Sequence, residues 1–145
     1  MKLYIFLLIF CLLSASMPVK AHLAHHPLKC TGALALKKIR ALPEVKAFMR
    51  YAKKSEPIVM IAGGPDSTRK YYWIKSGICN FGMFRTSDDF LVDPKTSEIY
   101  FYDIALEDEP GDKIATLKQW RRWRSDPRFW KPHIFKRGKI VALTK

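Results

Sequence analysis

The chain falls into three hydrophobic regimes. Leu3 to Leu13 form an apolar run after Met1-Lys2, and they give way to Ser14-Ala15-Ser16 and Val19-Lys20-Ala21. A short positive start, an apolar stretch of about a dozen residues and a small-residue exit predict a secretory signal peptide over residues 1–21, with His22 as the first mature residue. Cleavage nearer Ala15 and a retained anchor are the alternatives. The run is shorter than the roughly 20 residues a membrane-crossing helix needs, so no transmembrane span is expected in the mature chain.

From Gly32 to Lys54 the apolar spacing is helical: Leu36, Ile39 and Leu42 recur with Lys37, Lys38 and Arg40 off the stripe, and Val45, Phe48, Met49 and Ala52 resume it. Pro43 lacks a donor and crowds the preceding turn, so the pattern predicts two helices or one kinked there. The period then changes to two. Ile58 to Ala62, Tyr71 to Lys75, a strand from Met83 to Thr86 that continues or restarts at Phe90 to Asp93, and Ile99 to Asp103 read as strands. Gly63-Gly64-Pro65-Asp66, Asn80 with Gly82, and Asp93-Pro94-Lys95-Thr96-Ser97 separate them as turns. Thr116 and Gln119 carry capping-box spacing for a last helix to about Arg124, stopped by Asp126-Pro127, with a final strand near Lys139 to Leu143. The expectation is an α+β domain: an N-terminal helix, kinked or split at Pro43, packed on a four-stranded antiparallel sheet, with a short C-terminal helix and a basic tail. Residues 22–110 form the domain body, and 111–145 a basic aromatic segment packed on it.

Trp73-Ile74-Lys75, Phe90-Leu91-Val92-Asp93-Pro94-Lys95-Thr96-Ser97-Glu98-Ile99 and Tyr102-Asp103 together resemble the repeat unit of PepSY-type extracytoplasmic domains. In that family a strand ending in Val-Asp turns through a Lys-Thr-Gly-Glu-like loop into the next strand; Ser97 stands where the family has glycine. The preceding helix is similar to the helix-on-sheet layout of cystatin-like folds. The resemblance spans about residues 58–103. It implies a small antiparallel sheet wrapped around a helix, in proteins that bind or inhibit partners such as peptidases, and it supplies no catalytic residues.

Charge changes the picture of the C-terminal segment. The whole chain carries +13, but Gly111 to Lys145 hold eleven Lys or Arg against Asp112 and Asp126, while residues 22–110 are almost balanced at +2. A single-sign cluster of this kind creates a local field that attracts anions. Cys11 leaves with the signal, and an even pair in an oxidising compartment predicts a Cys30–Cys79 disulfide.

The candidate binding residues lie in that segment: Trp120, Arg121, Arg122, Trp123, Arg124, Arg128, Trp130, Lys131, Lys136 and Arg137. Arginine pairs bidentately with oxyanions, and indoles stack or enter a lipid interface. The plainer reading is that Leu117, Trp120 and Trp123 share a helix face packed on the sheet, with the arginines on its solvated side. His22, His25 and His26, with His133 elsewhere, are the candidates for metal, but they lack a tight amino-terminal arrangement, so no metal or cofactor is expected. Gly63 to Thr68 lacks the Gly-Lys-Ser/Thr ending of a phosphate loop, and Asp88-Asp89 and Glu107-Asp108-Glu109 lack the spacing of a calcium loop. No catalytic arrangement stands out.

These readings converge on a secreted or periplasmic, non-enzymatic binding module, inhibitor-like, that recognises an acidic protein or an anionic envelope lipid or glycan. Export argues against genomic nucleic acid, and like charge argues against a basic target. The alternative is a membrane- or envelope-active cationic protein acting through its Trp/Arg-rich C-terminal segment.

Overall fold

A computed structural model describes residues 30–104 and 111–143. The expected signal peptide, His22, His25, His26 and the acidic run Glu107-Asp108-Glu109 lie outside the described residues.

The described residues form an α+β arrangement, with three α-helices, a five-stranded antiparallel sheet and a separate two-stranded sheet. Helix α1 (Gly32–Ala41) begins where the Thr31 hydroxyl accepts the Leu34 N–H at 3.3 Å. Leu42, preceding proline, is extended (ψ 135°), so the chain breaks there and Pro43 opens α2 (Pro43–Tyr51). Pro43 therefore splits the N-terminal helix in two.

Strands β1 (Pro57–Gly63), β2 (Tyr72–Asn80), β3 (Met83–Val92), β4 (Ile99–Tyr102) and β5 (Ile114–Thr116) follow each other in sheet order, all antiparallel. Two features depart from the expected four strands. Strand β2 runs on from Lys75 to Asn80, and the three residues Ile114-Ala115-Thr116 add a fifth strand against β4. Three residues carry too little alternation to announce a strand, and these run straight into a helix cap. The β2–β3 ladder shifts register between Ser76 and Gly77, and there a side chain has no room: a Cβ on Gly77 would stand 2.2 Å from the Arg85 carbonyl oxygen.

One sheet face carries Val59, Ile74, Phe90, Val92, Phe101 and Ala115, all buried, with Ile74 opposite Phe90 and Phe90 opposite Phe101. Ala35 and Ile39 of α1 and Val45 of α2 join this core. Helix α3 (Leu117–Arg124) completes it: the Trp120 ring stacks on Phe101 at 5.1 Å and meets Phe90 edge-on at 5.3 Å. After a short 3-10 turn (Pro127–Trp130), the hairpin β6 (His133–Lys136) and β7 (Lys139–Ala142) turns through Arg137 and Gly138, both left-handed. Phe135 of β6 stacks on Trp123 at 3.8 Å. The basic segment is thus a helix, a turn and a hairpin that share the core of residues 30–104. Among the described residues, no helix is long and apolar enough to cross a membrane.

The expected Cys30–Cys79 bond is corrected: both cysteines are free, Cys30 buried and Cys79 half-buried. Cys30 N–H donates to Pro94 O at 2.9 Å, placing it by the β3–β4 turn and the Tyr72 end of β2. Cys79 lies at the other end of β2, where its N–H donates to Glu56 O at 3.1 Å. At about 3.3 Å per residue the strand separates the two ends by roughly 23 Å, whereas a disulfide tolerates a Cα separation of about 7 Å at most.

Candidate anion-binding cleft

The Thr116–Gln119 capping box starts α3, with Gln119 N–H donating to Thr116 Oγ1 (3.2 Å) and Thr116 N–H donating to Gln119 Oε1 (2.9 Å). From that start, helical rotation turns Trp120 and Trp123 into the core and Arg121, Arg122 and Arg124 away from it. Trp120 and Trp123 are therefore packing residues and are removed from the binding set; the shared helix face accounts for both.

The cations then separate by what already occupies them. Arg121 pairs with Glu44 across the α2–α3 groove, Nε to Oε1 at 2.6 Å and Nη2 to Oε2 at 3.2 Å, and this bond holds the Glu44 carboxyl below its ordinary range. Arg124 lies over the Trp120 ring at 4.7 Å. Arg128 is held by Asp126, Nη2 to Oδ2 at 2.6 Å, and the guanidinium draws the Asp126 carboxyl down to about 2. Trp130, Lys131 and Lys136 are exposed and are not among the residues lining the cleft below.

Arg122 and Arg137 remain, and Lys139 joins them. The three line a cleft of about 870 Å³ between α3, the 3-10 turn and the β6–β7 hairpin, with Gln119, Trp123 and the Asp126–Arg128 pair. Among the described residues none of the three has an ion-pair partner. Three cations that line one concavity without an ion pair among the described residues, two of them Arg forks, suit an oxyanion or a cluster of carboxylates. In the sequence Lys139 reads as an ordinary strand residue. The signal that would have found it is Arg137-Gly138, a two-residue hairpin turn that folds β7 back along β6.

Elsewhere the chemistry is already spoken for. Asp66 accepts hydrogen bonds from Thr68 and Arg69 and closes the β1–β2 loop, so Gly63 to Thr68 is a turn. His133 Nδ1 donates to Lys131 O at 2.6 Å, with Nε2 3.5 Å from Asp103. Among the described residues no group of His, Cys, Asp or Glu is arranged to hold a metal ion. On the sheet face opposite the core, Trp73 Nε1–H donates to Asp89 at 2.6 Å and Lys75 lies 4.4 Å over the Trp73 ring.

No family model, characterised relative or solved structure matches this chain.

Proposed function

We propose that this protein is a secreted or periplasmic, non-enzymatic binding module, inhibitor-like in action, that captures an acidic macromolecular partner through the cleft of Arg122, Arg137 and Lys139. The observation that carries this reading is the contrast among the cations. Arg121 and Arg128 are neutralised by carboxylates of the same chain, whereas the three cleft cations have no ion pair among the described residues. The PepSY-type resemblance supports the same reading at its motif: Ser97, standing where that family has glycine, takes φ 63°. That is the left-handed conformation glycine favours.

Action as a membrane-active segment would call for indoles at the surface. Trp120 and Trp123 are buried, which leaves Trp130 at 69% exposure to serve that role.

The test is a binding titration of the mature chain with polyglutamate, with heparin and with anionic vesicles. The double variant Arg122→Glu/Arg137→Glu is expected to lose at least about tenfold in polyglutamate affinity, with a shallower salt dependence. Trp130→Ala is expected to leave it unchanged. Unaltered polyglutamate binding in the double variant would overturn the cleft. Vesicle binding that depends on Trp130 would favour the envelope-active alternative.

A further inference from the structure

Strand β1 is an edge of the five-stranded sheet and carries no charged side chain: its sequence is Pro-Ile-Val-Met-Ile-Ala-Gly. Ile58, Met60 and Ile61 are 37%, 41% and 38% exposed. Edge strands are normally blunted, because unpaired backbone groups template the addition of another chain.

Two hydrogen bonds fix which groups point outward. Cys79 N–H donates to Glu56 O, so Glu56 and, by alternation, Ile58 and Met60 turn their polar groups toward β2. Arg40 Nη2 donates to Val59 O at 3.1 Å from outside the ladder, which places Val59 in the opposite set, with Pro57 and Ile61. Pro57 has no N–H. The outward row therefore offers the Pro57 carbonyl, the Val59 N–H and both polar groups of Ile61, with the Val59 carbonyl held by Arg40. Beyond Ile61 the register shifts, which limits the length of a strand this edge can accept.

Charge selects the occupant. Arg40 stands at the edge, and Lys37 lies one turn earlier on the same exposed side of α1. Lys53 and Lys54 precede the strand, both exposed, against the single carboxylate of Glu56. Arg69, beside Gly63, is already paired with Asp66. A second copy pairing antiparallel at this edge would bring Arg40, near the strand centre, against its equivalent, whereas an extended acidic segment would meet these cations favourably. The geometry points to β1 as a strand-addition site for an extended acidic segment of the partner, with apolar residues alternating among its carboxylates. Arg40 is its placeholder: the incoming strand donates to the Val59 carbonyl and frees the guanidinium for a carboxylate. This inference rests on the acidic-partner reading for its chemistry, but uses a surface separate from the cleft.

The test titrates the mature chain with a peptide of seven residues alternating Glu and Val, and follows amide hydrogen exchange. Exchange at Val59 and Ile61 is expected to slow at least about tenfold, with little change at Met60, already bonded to β2. Ile61→Pro, which removes an outward donor, and Arg40→Glu, which reverses the selecting charge, should each weaken this binding by about tenfold. Arg122→Glu/Arg137→Glu should preserve the protection at β1. Unchanged exchange at Val59 and Ile61 at saturating peptide overturns strand addition; if binding persists but vanishes in the cleft variant, the cleft reading stands alone. Concentration-dependent protection without peptide, with a doubled mass, would replace the acidic strand by a second copy.

Discussion

Asp88 and Asp89 sit side by side on β3 and face opposite sides of the sheet, and each pays for its position in the same way. Burial pushes both carboxyls above their ordinary values, Asp88 against the opposing charge of Arg124 and Asp89 against its hydrogen bond from Trp73. A carboxyl that is harder to ionise in the folded chain than in the unfolded one binds its proton more tightly when folded. Its favourable contribution is therefore full below the ordinary aspartate range and is lost as pH rises through the raised folded value. Asp88→Asn keeps an acceptor near Ser76 without the charge. It is expected to stabilise the protein at pH 7, and the advantage should shrink as pH falls through the raised folded value and vanish below the ordinary aspartate range. Denaturant titrations of both proteins at pH 7 and pH 3.5 check this; an advantage that grows on acidification would contradict it. That Asp88 and Asp89 are adjacent was plain from the sequence. That neither lies in a solvated turn depends on β3 extending unbroken from Met83 to Val92.

At the scale of elements, the local signals with a mechanism were the legible ones. Pro43 divides α1 from α2 because a ring without an N–H cannot continue the first helix but suits the start of the second. The Thr116–Gln119 box starts α3 at the expected residue. The β3–β4 turn is built as its residues suggest, with Asp93 Oδ1 accepting the N–H groups of Lys95 (2.7 Å) and Thr96 (3.1 Å). Ser97 closes it in a conformation unfavourable for a residue with a Cβ. Ser97→Gly is expected to stabilise the hairpin by about 0.5–1 kcal/mol, the left-handed penalty of about 1–2 kcal/mol being partly offset by the greater freedom of unfolded glycine. Thermal and denaturant unfolding measure it, and a loss of stability would show that the Ser97 side chain contributes something the hydrogen bonds do not reveal. Strand β5 was illegible for the converse reason. Ile114 to Thr116 have no periodic signature of their own and are strand only because β4 supplies a partner.

At the scale of the whole molecule, the basic segment and the rest of the described chain share one core. Trp120, Trp123, Phe135 and Ile140 belong to the same buried cluster as Phe90 and Phe101. Truncating one buried tryptophan costs about 3–5 kcal/mol, against a total stability of about 5–15 kcal/mol for a domain. A chain ending at Gly111 is therefore expected to lose its cooperative unfolding transition and to bind hydrophobic dye. A sharp transition in that truncated chain would restore the tail as a separable unit. The cleft follows from the same architecture, since Arg122, Arg137 and Lys139 meet only when the hairpin folds against α3.

The sequence by itself determined what local chemistry controls: the helix break at Pro43, the cap of α3, the alternation of the long strands and the concentration of positive charge after Gly111. Those depend on a residue and its near neighbours. Tertiary structure alone decided which arginines are neutralised, that β1 is left as an edge and that Cys30 and Cys79 stand at opposite ends of β2. Each of these is a distance between residues far apart in the chain, set by how helices and strands share one core, and no spacing along the chain encodes it.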